Sequence, residues 1–256
     1  MTDLLVERRD AVLTITFNRP DKHNAMTSAM YDRLAEACAA ANRDPDLRAM
    51  VLTGAGGKAF VAGTDIAGFL DFDDGADGVR YERRITEVLD ALEQVRVPTI
   101  AAIAGHCFGG GLALATACDL RVVTPGSLFG YPIARTLGNC LSVSTLAALT
   151  ECLGTARTKA LLLLARPMTA QEAVSNGFAV EMVEAARLAD HTAELARQLS
   201  GHAPLTMWAT KESLRRLRVQ GLPDDTDIIR AVYGSEDFHS GVRNFLAKRP
   251  QSWTGH

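Results

Sequence analysis

Long hydrophobic runs are missing from this chain. Leu161 to Ala165 is a prominent apolar stretch, but Arg166 and Pro167 close it, far short of the roughly 20 residues of a membrane-crossing helix. Near the start, Leu4, Leu5 and Val6 stand among Asp3, Glu7, Arg8 and Arg9. Three apolar residues cannot form a signal-peptide core, so a cytoplasmic protein is expected. Cysteine is sparse. Cys38, Cys107, Cys118, Cys140 and Cys152 are odd in number and contain no CxxC pair, which argues against a disulfide framework and a zinc knuckle. No His, Cys or carboxylate cluster has metal-ligand spacing, and no metal or redox cofactor is expected. Charge of one sign is also missing: 27 Lys and Arg face 30 Asp and Glu, a net charge of -3, with no basic run. A nucleic-acid partner is therefore not expected. There is no fixed-period repeat and no low-complexity linker.

What is present is a globular balance over 256 residues, 47% hydrophobic and 22% charged, enough to bury a sizeable core. Val12, Thr14 and Thr16 alternate with Leu13, Ile15 and Phe17, a strand that follows another near Leu4 to Glu7. Thr27 is placed to cap a helix whose apolar residues Met30, Leu34, Ala37, Cys38 and Ala41 fall on one face. Ala49 to Thr53 and Leu120 to Val123 read as strands buried on both faces, and Pro98 opens another at Thr99 to Ala104. The acidic segment Asp71 to Gly78 lacks the spacing and closing Glu of a calcium loop and is expected to be a solvated loop. Ile85, Val88, Leu89, Leu92 and Val95 mark the next helix. From Ser142 the pattern is mostly helical, including segments at Pro204 to Arg218 and Asp224 to Ala247. An α/β core of βαβ units with a helical C-terminal extension follows.

Two Gly-containing loops stand between a buried strand and a helix: Ala59 to Ile66 (AFVAGTDI) and Ala104 to Asp119 (AGHCFGGGLALATACD). Glycine lets a ligand approach the backbone closely, and a helix start lends N–H groups to an anion or oxyanion. The alternative is close helix-to-strand packing alone. GGG is neither GxGxxG nor a P-loop, so nucleotide readings are weak.

Four segments together carry a more specific likeness: NRPDKHNAM at Asn18 to Met26, GKAFVAGTD at Gly57 to Asp65, PTIAAIAGHCFGGGLALATACDLRV at Pro98 to Val122, and EDFHSGVRNFLAKRP at Glu236 to Pro250. In order and spacing they resemble the crotonase superfamily of enoyl-CoA hydratases and isomerases, over nearly the whole chain. The resemblance implies a crotonase-like α/β spiral of βαβ units over residues 1–200. It also implies a C-terminal helical trimerisation region over 201–256 that packs on neighbouring subunits, in a homotrimer or homohexamer. It implies an acyl-CoA substrate, with coenzyme A as part of the substrate and no separate cofactor. The backbone N–H groups of Thr64 and Gly110 would form an oxyanion hole. Lys22, Ala25, Ala62, Thr64, Asp65 and Ile66 match positions that line CoA, and Phe245 and Lys248 match residues that reach a neighbouring subunit's CoA.

The two glutamates that hydratases of the superfamily use are replaced here by Ala113, in GGGLA, and Ile133, in FGYPI. Neither can carry a proton, so standard two-glutamate hydration is not expected. Substitute groups near these positions are His106, Cys107, Tyr131, Arg135, Asn139 and Ser142. Each also has a plain structural reading, as do Asp65 and Asp119, which read as loop anchors. Three possibilities stay open. The first is an enzyme that keeps the oxyanion hole and uses few proton-transfer groups; a malonyl-type CoA decarboxylase fits this, and the segment AVYGSEDF resembles that branch. The second is a noncatalytic acyl-CoA binder. The third is a hydratase or isomerase whose acid/base group comes from the acidic region, such as Asp71, Asp73 or Glu82. An enzyme is favoured over a binder because the three glycines of the polarising loop are intact.

Overall fold

The computed structural model describes residues 2–251, 253 and 254. The alternating N-terminal residues form a hairpin of β1 (Leu4–Arg9) and β2 (Val12–Phe17), antiparallel with Leu4 opposite Phe17. The Thr27 hydroxyl accepts from Met30 N–H and opens α1 (Ser28–Arg43), which buries the predicted face of Met30, Leu34, Ala37, Cys38 and Ala41.

The spiral then runs in turns that each give one strand to each of two sheets. β3 (Ala49–Gly54) is followed by β4 (Ala59–Val61) and α2 (Gly75–Glu93). β5 (Thr99–Ile103) and β6 (His106–Phe108) lead into α3 (Gly110–Ala117), and β7 (Leu120–Val123) and β8 (Leu128–Gly130) into the short α4 (Ile133–Thr136). Next come α5 (Val143–Leu163), β9 (Met168–Thr169), α6 (Ala170–Ser175), β10 (Glu181–Met182) and α7 (Leu188–Ser200). The larger sheet has the order β1-β2-β3-β5-β7-β10 and is parallel from β2 onward; the smaller has the order β4-β6-β8-β9. β5 is buried at every residue, as expected of a parallel strand covered on both faces. α8 (Pro204–Val219), α9 (Thr226–Tyr233) and α10 (Glu236–Leu246) complete the chain.

Two expectations change. The segment read as one helix from Asp224 to Ala247 is two, because Ser235 caps a new helix by accepting from Phe238 N–H. The acidic segment at Asp71 to Gly78 is not a solvated loop throughout. The Asp74 carboxylate accepts from Ala76 N–H, and Asp77 reaches back to the N–H of Asp74, a reciprocal cap that starts α2 at Gly75. Gly75 and Gly78 are then buried under α9: a Cβ at Gly75 would meet the Arg230 carbonyl, and one at Gly78 the Tyr233 ring. Their lack of a side chain allows α9 to lie directly on α2.

This contact fixes the C-terminal region within the chain itself. Phe69, Tyr233, Phe238 and Val242 form an apolar cluster with Phe72 and Tyr81 at its edge, and the Tyr233 and Phe238 ring centroids are 4.8 Å apart. Within the chain, α9 lies on α2, and α10 lies on the 3-10 turn Ile66–Asp71 and on α4.

Candidate active site

Two of the large cavities differ in chemistry. One of about 520 Å³ lies beside α8 and the end of α3, but its charges are spent on one another: Lys211 Nζ is 2.6 Å from Asp119 Oδ2, and Arg218 pairs with Glu93 and Glu151. The other, about 400 Å³, is walled by the segment after β4, the start of α3, α2, and the stretch from Tyr131 to Leu141. It gathers most of the residues singled out in the sequence.

Its floor is built by two backbone segments. Met26 forms a parallel bridge with Thr64, in which Met26 N–H donates to Gly63 O at 2.9 Å and Asp65 N–H donates to Met26 O at 2.8 Å. In such a bridge the central residue's own N–H faces the opposite side, and Thr64 N–H donates to no acceptor among the described residues. Gly110 is the first residue of α3, where N–H groups have no partner within the helix. The two loops touch: a Cβ at Gly110 would lie 3.2 Å from Thr64 Oγ1 and would overlap the Tyr31 hydroxyl. Hydroxyl contacts lock the arrangement, with Thr64 Oγ1 2.9 Å from Tyr31 Oη and 2.9 Å from Tyr81 Oη. Burial pushes the Tyr31 phenol up to about 12 and that of Tyr81 well above its usual range, so both remain neutral hydrogen-bonding groups.

Lys22, Ala25, Ala62, Thr64, Asp65 and Ile66 all line this cavity, as does Phe245. Phe245 therefore faces the cavity of its own chain. The Asp65 carboxylate is used as an anchor, 3.1 Å from Arg19 and capping the turn at Ala67 N–H. Asp119 is an anchor too, accepting from Thr99 N–H at 2.7 Å. Ala113 and Ile133 both face the cavity and present no proton-carrying group. Of the candidate replacements, Tyr131 lines it and is 2% exposed, with a hydroxyl that has no partner among the described residues. His106, Arg135 and Lys248 are exposed and do not line it; the His106 ring instead sits 5.4 Å from Phe108 and 6.1 Å from His23. Cys107 is a buried filler whose thiol burial pushes well above its usual value.

One wall holds a group that the sequence reading gave only as one of three acidic examples. Asp71 and Asp73 are exposed and away from the cavity, whereas Glu82 lines it and is 3% exposed. Glu82 Oε1 accepts from the Tyr233 hydroxyl at 2.6 Å, and Oε2 accepts from Ser142 N–H at 3.0 Å. Asn139 Nδ2 donates to the Tyr233 oxygen at 3.2 Å, and its Oδ1 has no partner among the described residues. Burial raises the Glu82 carboxyl to about 7, with the hydrogen bonds from Tyr233 and Ser142 opposing the shift and Asp225 adding to it. One sign of this was in the sequence: Glu82 occupies the helical stripe of Ile85, Leu89 and Leu92, where a charged residue is out of place. Tyr233 carried no such sign.

The comparisons agree with this architecture. A family model described as Enoyl-CoA hydratase/isomerase matches residues 7–256. The chain belongs to the enoyl-CoA hydratase/isomerase family. Among relatives in that family, the probable enoyl-CoA hydratase echA6 of Mycobacterium tuberculosis is 32% identical over 252 residues, 98% of each chain. Carnitinyl-CoA dehydratase of Salmonella arizonae is 34% identical over 266 aligned positions, 99% of this chain and 98% of the relative. Among solved structures, methylmalonyl-CoA decarboxylase in complex with 2-nitronate-propionyl-CoA superposes with a TM-score of 0.91 at 30% identity, covering 100% of this chain and 99% of the other. The crotonase fold expected from the sequence motifs is thus the fold of this family member. Among the described residues no helix is long and apolar enough to cross a membrane, and no group of three or more His, Cys, Asp or Glu could hold a metal.

Proposed function

We propose that this protein is an enzyme that binds an acyl-CoA thioester in the 400 Å³ cavity and stabilises its enolate with the N–H groups of Thr64 and Gly110. The observation that carries this reading is the pair of backbone donors without acceptors among the described residues, on touching loops that line one cavity. Enolate formation moves charge onto the thioester oxygen, and fixed donors aimed at that oxygen stabilise the transition state; one such donor is worth about 3 kcal/mol. Lys22, Ala25, Ala62, Asp65, Ile66 and Phe245 run from the donors along the cavity and are suited to hold the CoA moiety. Coenzyme A enters as part of the substrate, with no further cofactor, and the working form is a homotrimer or homohexamer in the cytoplasm. Two-glutamate hydration is not the reaction, since Ala113 and Ile133 occupy the cavity wall where those groups would act.

A second reading, a malonyl-type CoA decarboxylase, is favoured by the superposition on methylmalonyl-CoA decarboxylase. Loss of CO2 leaves its electron pair as the enolate, so the N–H pair would serve it equally. Calorimetric titration with crotonyl-CoA, a malonyl-type CoA and a long acyl-CoA, followed by mass spectrometry of each mixture, separates the readings. Binding with a hydrated product fits proton-transfer chemistry, and loss of CO2 fits the second reading. Tight binding with no reaction of any substrate makes the protein a carrier, and no binding removes the acyl-CoA assignment.

A further inference from the structure

Glu82 and Asp65 are the two carboxylates on the cavity wall, and they differ in what holds them. Asp65 is committed to Arg19 and to the turn that follows it. Among the described residues Glu82 has no cationic partner; its two oxygens accept one neutral hydrogen bond each, from a phenol and a backbone N–H. A carboxylate oxygen has two acceptor positions, so each oxygen of Glu82 keeps one for a proton. A glutamate buried this deeply without a cation costs stability, which a purely structural role would not repay.

We propose that Glu82, carried into the site by α2, is the catalytic acid/base that takes a proton from the bound acyl thioester and returns it. The proposal rests on the acyl-CoA reading above. The α-carbon C–H bond breaks, its electron pair becomes the enolate double bond, and the thioester π pair moves to the oxygen facing Thr64 and Gly110. The proton goes to Glu82. In the return step the enolate re-forms the thioester C=O and the Glu82 carboxyl delivers a proton to carbon. Delivery to the α-carbon, after the proton on Glu82 has been replaced by one from solvent, gives exchange; delivery of the abstracted proton to the γ-carbon of a β,γ-unsaturated acyl group gives the α,β-unsaturated isomer. No water, oxidant or second carboxylate is consumed, which suits a cavity with one uncommitted carboxylate.

Tyr233 and Asn139 are positioning residues: Asn139 donates to the Tyr233 oxygen, Tyr233 donates to Glu82, and the carboxylate plane is set. The C-terminal helix α9 thus completes the site of its own chain. Other titratable groups that act on Glu82 are Asp225 beside α9, Tyr81 on α2, Tyr31 on α1, Tyr131 after β8 and Cys140 before α5. All four of these phenols and thiols are held neutral by burial, whereas burial raises the Glu82 carboxyl only to about 7.

The test measures deuterium uptake at the α-carbon of butyryl-CoA in heavy water, and conversion of 3-hexenoyl-CoA to 2-hexenoyl-CoA, with binding followed by calorimetry. Wild type is expected to catalyse both, and Glu82→Gln to bind equally while losing a factor of about 10²–10⁴ in rate. The wild-type rate should rise with pH and level off above about 7, since the base form is needed. Tyr233→Phe should keep the reaction but move that rise to higher pH, because the lost hydrogen bond favours the anion. Should Glu82→Gln not fold, Glu82→Asp serves, with a lowered rate and a shifted pH profile expected. Wild-type catalysis unchanged in the folded variants overturns the role of Glu82 and leaves the acyl-CoA reading intact. Binding without exchange or isomerisation by wild type overturns it as well, and absence of binding overturns both.

Discussion

Replacing Glu82 with Gln should alter stability in a way that depends on pH. In the unfolded chain the carboxyl titrates near 4.5; in the fold, burial raises it to about 7. A folded value above the unfolded one means that the fold prefers the protonated form. The group's contribution is therefore intact below about 4.5, is lost as pH rises through the interval up to about 7, and stays lost above it. That difference corresponds to about 3 kcal/mol. Glutamine has the same shape, no charge, and one oxygen to accept from Ser142 N–H; its amide matches the Tyr233 hydroxyl less well, at a cost of about 1 kcal/mol. Glu82→Gln should thus be less stable than wild type by about 1 kcal/mol at pH 4.5 and more stable by about 2 kcal/mol at pH 8. The carboxylates that hydrogen bonds and cations hold low, Asp77, Glu172, Glu212 and Asp224, weaken both proteins alike in acid and cancel in the comparison. Urea unfolding of both proteins across this range reads the difference directly. Parallel stability curves with no crossover would refute the argument that Glu82 is a buried, uncompensated carboxyl.

Gly110→Ala would push a methyl group into the Tyr31 hydroxyl and displace the donor loop. Turnover should fall by about 10², and adding Tyr31→Phe should restore part of it, a coupling that a double-mutant rate comparison measures. Gly78→Ala places a Cβ against the Tyr233 ring; it should cost about 1–3 kcal/mol by overpacking despite the better helix former, seen as a lower unfolding midpoint. Tyr81→Phe removes one of two hydroxyl contacts to Thr64 and should cost about 1 kcal/mol in stability, with acyl-CoA affinity falling in the same titration.

Regular elements were legible where one face is buried over many residues. The α1 stripe from Met30 to Ala41, the Thr27 cap and the wholly buried β5 follow from the local sequence pattern. The strands of the second sheet escaped, because β4, β6 and β8 are three residues long and too short to show a period. The start of α2 escaped for a different reason: its glycines and aspartates signal a turn locally, and only α9 lying on top of them makes Gly75 and Gly78 the residues that fit. The site divides the same way. Thr64 and Gly110 lie in compact motifs, and the structure brings them into contact. His106 and Arg135 are close in sequence to the motif positions, yet β6 and α4 turn them outward. Glu82, by contrast, meets Ser142 and Tyr233 across 60 and 151 residues of chain, a convergence that tertiary packing alone supplies.

The central claim, that a thioester carbonyl rests against the N–H groups of Thr64 and Gly110, is tested most directly by isotope-edited infrared spectroscopy of an acyl-CoA labelled with carbon-13 at its carbonyl. Two backbone hydrogen bonds in a water-poor cavity should move the bound carbonyl stretch to lower frequency than in buffer, and Gly110→Ala should reverse much of that shift. A bound ligand whose carbonyl absorbs at its solution frequency would contradict the account.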